Sequence, residues 1–229
     1  MLFSFSTFVK NMELELATEY LKLDADPIAR LEITTLVNQK NWPRLQELLG
    51  SRLQFGTSGL RAEMGAGYSR MNNLTVIQAT QGIVAYYLKN SNIIQDGAVI
   101  GHDHRHGSIM FAKLTAAAFL IKGIKVYFFP DNVHTPLVPF AIENFKCTVG
   151  IMITASHNPK TDNGYKVYGS NGSQIITPLD KFISSSIKDN LVPWTWDTSL
   201  VETNALSFDP TNEVVPLYFE KLRHYSQFR

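Results

Sequence analysis

Cysteine is nearly missing: Cys147 is the only one among 229 residues. That count excludes an intrachain disulfide and makes a reducing cytoplasm the expected setting. Because Cys147 adjoins an apolar stretch, it reads as a small core residue and not as a reactive thiol. No apolar run approaches the ~20 residues needed to cross a bilayer. Residues 1–10 are faintly apolar but lack the cationic start and long hydrophobic middle of a signal peptide. Met12 could serve as an alternative start, so the first eleven residues are treated as an extension of unknown order. A net charge of +1, with basic residues scattered along the chain, gives no footing for nucleic acid or for a membrane surface. Neither a G-x-G-x-x-G turn after a strand nor a G-x-S-x-G elbow is present, which argues against dinucleotide binding and serine-hydrolase chemistry. Internal repeats and low-complexity tracts are also lacking.

What is present is a dense polar segment directly after an apolar run. Val149 to Ile153 reads as a buried strand, followed by Thr154-Ala155-Ser156-His157-Asn158-Pro159 and then Asp162-Asn163-Gly164-Tyr165-Lys166. Open α/β sheets place their chemistry at the carboxyl ends of strands, where Ser156 would sit. Pro159 and Asn163-Gly164 are expected to turn the chain back, so that Lys166 begins a second strand near the serine. On an extended backbone His157 would point away from its neighbour, which makes a Ser-His pair of the hydrolase type awkward. Lys166, His157 and the distant Arg61 supply cations suited to a phosphate ester on Ser156, whose charge near ~−2 calls for several charge-assisted donors. A second reading, in which Thr154, Ser156 and Asn158 only satisfy a turn, fits the composition equally well.

Along the rest of the chain the expected fold is a layered α/β domain, a mixed sheet with helices on both faces, preceded by a helical extension. Residues 12–50 read as helical. Asp26 would cap a helix opened by Pro27, and Asn41 one opened by Trp42-Pro43 and closed by Gly50. Helices are expected at 73–89, 108–122 and 135–145, and strands at 98–101, 124–129 and 148–154. Asn171-Gly172 reads as a hairpin turn between 165–169 and 174–177. Trp194, Trp196 and Phe208 would pack the exit from the domain. His102, His104 and His106 alternate and could share one face of an extended chain, but no cysteine or carboxylate cluster completes a zinc set.

Five ordered motifs carry a resemblance to a known family. They are Gln54-Phe55-Gly56-Thr57-Ser58-Gly59-Leu60-Arg61-Ala62-Glu63-Met64, Ser69-Arg70-Met71-Asn72, Val99-Ile100-Gly101-His102-Asp103-His104-Arg105, His134-Thr135-Pro136-Leu137-Val138-Pro139-Phe140, and the Ser156 segment with its Lys166 continuation. Together they resemble the first domain of the α-D-phosphohexomutases, in the phosphoglucomutase-2 and phosphopentomutase branch, from about Ser51 to Trp196. The resemblance implies a phosphomutase that moves phosphate between the C1 oxygen and the C5 or C6 oxygen of a sugar phosphate, by way of a phosphoserine and a sugar bisphosphate. Ser156 would carry the phosphoryl group and Lys166 would act as general acid and base. Arg61 and His157 would hold the phosphate and the reacting hydroxyl, with Thr57 and Asn158 lining the same site. One Mg²⁺ would bind through the phosphate on Ser156, and glucose 1,6-bisphosphate would be the activator. The implied substrates are glucose 1- and 6-phosphate and ribose 1- and 5-phosphate.

The family's Asp-rich metal loop, its Glu-Ser sugar-reading loop and its Arg-Ser-Gly-Thr phosphate loop have no counterpart here. Asp24-Ala25-Asp26, a superficial match to the metal loop, lacks the third acid and the arginine. The expected division is a helical extension at 1–50, the phosphoserine domain at 51–205, and the start of a second domain at 206–229. On this reading a chain ending at Arg229 supplies half a cleft or less: a fragment, a truncated gene product or a derivative that cannot complete the reaction alone. The amphipathic run Val214, Val215, Leu217, Tyr218, Leu222 and Tyr225 would then expose an apolar face and favour self-association. Two alternatives remain: a non-catalytic phosphosugar-binding or regulatory role, and part of a sugar 1,6-bisphosphate synthase.

Overall fold

A computed structural model describes residues 2–90 and 96–226. Met1, the stretch 91–95 and residues 227–229, the last three positions of the expected second-domain segment, lie outside the described residues. The architecture is mixed α/β. Three helices come first: α1 (Leu2–Leu23), α2 (Pro27–Asn38) and α3 (Trp42–Leu49). Their starts follow the local chemistry. Asp26 accepts hydrogen bonds from the backbone N–H groups of Ile28 and Ala29 ahead of Pro27, and Asn41 accepts one from Arg44. The apolar faces of the three helices meet in their own cluster around Tyr20, Ile33, Leu45 and Leu48.

Among the described residues the sheet has six strands, in the order β1-β5-β4-β2-β3-β6. These are β1 (Leu60–Glu63), β2 (Ala98–His102), β3 (Val126–Phe128), β4 (Val149–Ile153), β5 (Asp162–Gly169) and β6 (Ser207–Phe208). The series β4, β2, β3 and β6 is parallel, whereas β5 runs antiparallel to both β4 and β1. Alternation sorts the side chains into two layers. Ala98, Ile100, Ile151, Ile153, Tyr165 and Val167 join the core beneath α4 (Asn73–Asn90), α5 (Ser108–Leu120) and α7 (Leu179–Lys188). Val99, Met152 and Tyr168 join the core beneath α6 (Leu137–Phe145). Layers on both faces explain why β2 and β4 are buried at every position.

Several details differ from the sequence reading. Asn163 and Gly164 lie inside β5, not in a turn, because the Asn163 side chain is buried and donates to the His106 carbonyl and to Ser108 Oγ. The expected second arm of a hairpin at 174–177 is reduced to a single bridge between Tyr168 and Gln174. There Ile175 turns into the core and the chain passes on toward α7. The three histidines do not share a face: His102 is buried on β2, while His104 and His106 are exposed on the turn beyond it. Trp194 and Trp196 also divide, Trp194 packing on the main core and Trp196 on the N-terminal helical cluster.

Beyond the main core come α8 (Leu200–Thr203), β6 and α9 (Thr211–Tyr225). β6 extends the sheet beside β3, and α9 packs on α6 through Val214, Val215 and Tyr218. Leu217, Leu222 and Tyr225 of the same helix stay exposed. No helix among the described residues is long and apolar enough to cross a membrane.

Cys147 is fully buried, its Sγ bonded to the Asp96 carbonyl, and burial pushes its thiol up to about 12. A maleimide reagent at neutral pH should therefore label the folded chain negligibly and label it once in denaturant. Rapid labelling without denaturant would contradict the packing around this residue.

Candidate active site

The Ser156 loop is built on the ends of two paired strands. Register sets Met152 opposite Lys166 and Ile153 opposite Tyr165. Tyr165 points into the core, its hydroxyl 2.8 Å from Thr80 Oγ1, so alternation turns Lys166 to the opposite face. From there Lys166 Nζ donates to Ser156 Oγ at 2.6 Å. Two side chains ten residues apart in sequence thus meet because the loop between them doubles back.

Loop geometry is fixed by a set of local bonds. The Ser156 N–H donates to Thr154 Oγ1 at 2.9 Å, the Asn158 N–H to the Ala155 carbonyl at 3.0 Å, and Asn158 Nδ2 to Asp162 Oδ2 at 2.9 Å. Ser156 takes φ +55°, a left-handed conformation that costs a residue with a Cβ roughly 1–2 kcal/mol. Non-glycine residues held this way cluster at functional sites. His157 follows a turn and not an extended residue, so the argument that placed it opposite Ser156 does not apply. It is exposed and makes no hydrogen bond among the described residues.

A second segment approaches from the amino-terminal side. Thr57 and Ser58 sit exposed at the tip of a tight turn closed by paired bonds between Gly56 and Gly59. Gly59, at φ +73°, lies against the β5 backbone, where an added Cβ would fall 1.8 Å from the Tyr165 carbonyl oxygen. Only glycine allows this approach, which brings the Thr57 turn beside the backbone of Lys166. Two residues further on, β1 carries Arg61, and its Nη1 donates to Asn158 Oδ1 at 3.2 Å.

The structure therefore joins Ser156 to Lys166 and Arg61 to Asn158, and sets the Thr57 turn against Lys166. His157 stands apart. The Lys166 ammonium is pushed below its usual range, first by burial and then by repulsion from Arg61, with Asp103 acting in the opposite sense. Nearby carboxylates are already engaged. Asp162 accepts from Asn158, while Asp103 accepts from Ser108 Oγ at 2.7 Å and lies 3.4 Å from Arg105 Nε. The exposed surface at Ser156 thus offers cations and amide donors, an arrangement suited to a phosphate ester or another anion. It does not suit a metal ion bound by protein ligands alone. Among the described residues no group of three or more His, Cys, Asp or Glu side chains is placed to hold one.

Arg105 closes one of the five resemblance motifs but was not among the candidate site residues, and it is the main support of the loop. Its guanidinium donates to four backbone carbonyls: Pro159 at 2.7 Å, Asn158 at 2.8 Å, Ser156 at 2.9 Å and Asp162 at 3.1 Å. Its place in that motif was the hint in the sequence, whereas acceptors contributed by backbone leave no trace in residue type.

Comparison with known proteins shows the family. The family model for "Phosphoglucomutase/phosphomannomutase, alpha/beta/alpha domain I" matches residues 52–192. The chain belongs to that family. It is 54% identical to the probable phosphoribomutase of Schizosaccharomyces pombe, over 84% of this chain and 33% of that protein. Identity to the phosphoribomutase of Saccharomyces cerevisiae is 50%, covering 89% of this chain and 34% of that one. The human glucose 1,6-bisphosphate synthase is 41% identical over 92% of the chain and 35% of its own length. The chain thus spans about a third of the length of these curated relatives. A crystal structure of a putative phosphomannomutase from Thermus thermophilus superposes with a TM-score of 0.58 at 24% identity, covering 76% of this chain and 36% of the other. That likeness speaks for the fold.

Replacing Arg105 with alanine removes four hydrogen bonds and the ion pair with Asp103, a loss expected to lower the unfolding free energy by about 2–4 kcal/mol. Urea denaturation would read it as a lower midpoint. A variant as stable as the parent would show that the loop holds itself.

Proposed function

We propose that this chain carries the phosphoserine part of a phosphopentomutase or phosphoglucomutase, with Ser156 as the residue that holds the phosphoryl group. The contact of Lys166 Nζ with Ser156 Oγ at 2.6 Å is the observation that carries this reading. Supporting it are the family membership and the printed names of the phosphoribomutase relatives.

In the proposed reaction a sugar hydroxyl attacks the phosphorus of phosphoserine 156. The bond from phosphorus to Ser156 Oγ breaks as a bond from phosphorus to the sugar oxygen forms. Lys166 takes the hydroxyl proton and returns a proton to the departing Oγ, so one lysine beside that oxygen serves both directions. Lys166 must be neutral when it accepts, and in the unphosphorylated chain burial and Arg61 already lower its pKa. A phosphate on Ser156 would reverse the shift, because a neighbouring dianion favours the ammonium form. Arg61 and Asn158 would hold phosphoryl oxygens, with Thr57 at the mouth of the site and His157 swinging in from solvent to meet the substrate.

Magnesium would be held through the phosphate on Ser156 and would neutralise charge there, but no group of three or more carboxylates, histidines or cysteines among the described residues is placed to hold it. Its other ligands would come from outside the described residues. Glucose 1,6-bisphosphate would load the serine. The substrates would be pentose or hexose monophosphates, handled in the cytoplasm, and the exposed side of α9 would be the surface for self-association. A bisphosphate synthase is the second reading, favoured by the 41% identity to the human enzyme of that name.

Treatment with glucose 1,6-bisphosphate and Mg²⁺ should add the mass of one phosphoryl group at Ser156. The experiment is run with and without the remaining two thirds of the S. pombe relative supplied in trans. Ser156→Ala should abolish the gain, and Lys166→Met should slow it about 10²-fold or more. Phosphate appearing on another residue, or on none in either format, would end this reading.

A further inference from the structure

The three N-terminal helices lie wholly ahead of the family-matched segment, which begins at residue 52, yet α1 and α3 hold the loop that follows the active-site edge strand. β1, the strand of Arg61, is an edge strand paired only with β5. It is four residues long, so that pairing by itself restrains it weakly. From its far end the chain continues into a loop, residues 64–71, which folds back onto β1: the Met71 N–H donates to the Glu63 carbonyl and the Gly65 N–H to the Met71 carbonyl.

This loop is what the helices hold. The fully buried Tyr20 of α1 accepts the Gly67 N–H on its hydroxyl at 3.0 Å. From α3, the Leu48 carbonyl accepts the Ser69 N–H at 3.1 Å and the Glu47 carbonyl accepts Ser69 Oγ at 3.0 Å. Gly67 has φ +105°, and an added Cβ there would sit 2.5 Å from the Leu48 carbonyl oxygen, so the loop approaches α3 as closely as backbone permits. Arg70 then links the two parts, pairing with Glu47 of α3 at 2.7 Å and also with Glu63, two residues after Arg61 on β1.

We propose that the helical lead-in positions Arg61: Tyr20 and Glu47 pin the 64–71 loop, and the loop, through Arg70 and Glu63, pins the edge strand that aims Arg61 at Asn158 and the Ser156 loop. The consequence for function rests on the phosphoserine reading, but the positioning itself is measurable without phosphate. Tyr20, Glu47 and Arg70 are positioning residues, since none of them contacts Ser156 or Lys166.

The test compares the unmodified 229-residue chain, a Tyr20→Phe/Arg70→Gln double variant, and Arg61→Gln as reference. Amide exchange is followed by mass spectrometry, and Lys166 is titrated through the ¹³Cε resonance of labelled lysine. Residues 60–71 of the double variant should exchange faster by about 10-fold or more while β2 and β4 keep their protection, the pattern of local opening. Lys166 should titrate at higher pH than in the unmodified chain, in the same direction as in Arg61→Gln, because one of the two causes of its depressed pKa is the nearness of Arg61. Unchanged exchange at 60–63, or an unchanged Lys166 titration, would overturn the proposal. So would an equal rise in exchange across the core strands, the mark of simple destabilisation. Should the double variant fail to fold, Glu47→Gln is judged by the same two measurements. Failure of Ser156 to take phosphate would remove the reading of the site and leave this result standing.

Discussion

Antiparallel pairing of β5 with β4 is the constraint on which the site depends. With Met152 opposite Lys166, the lysine emerges on the face away from α4 and α5, close to the end of β4 from which Ser156 departs. A slip of one residue would drive Lys166 into the apolar layer and bring Tyr165 out, at the cost of burying an ammonium without a partner. The Tyr165 hydroxyl bonded to Thr80, and Val167 packed in the same core, hold the register against that slip.

Given that register, the loop has to return within a short span, and it does so by directing backbone carbonyls at one guanidinium. Arg105 gathers four of them while Asp103 and Ser108 fix Arg105 and the start of α5. Side-chain acceptors near the serine are thereby occupied, and what remains exposed is cationic or amide in character. The same network also sustains a left-handed serine, which an isolated turn would relax.

Much of the fold was legible because the local signals were strong. Asp26 before Pro27 and Asn41 before Trp42-Pro43 cap the helices expected of them, and the strands at Ala98–His102 and Val149–Ile153 are the apolar runs read as strands. Errors arose where tertiary contacts overrode local chemistry. Asn163-Gly164 has the composition of a turn, but the Asn163 side chain finds buried partners at the start of the neighbouring α5 and so stays in the strand. The alternation of His102, His104 and His106 assumed an extended chain, whereas Asp103 bends it by accepting the Arg105 N–H. A strand at Ser207–Phe208 escaped notice because two residues carry no periodicity.

The order and spacing of five motifs, visible in one dimension, carried the family resemblance, and with it the expectation that Ser156 holds the phosphoryl group and Lys166 acts as acid and base. Tertiary structure alone decided that Arg105 supports the loop, that His157 stands free of it, and that Tyr20 and Glu47 reach the strand of Arg61. Those relations depend on backbone carbonyls, backbone N–H groups and partners tens of residues away, and such atoms are common to nearly every residue and so leave no mark in the sequence.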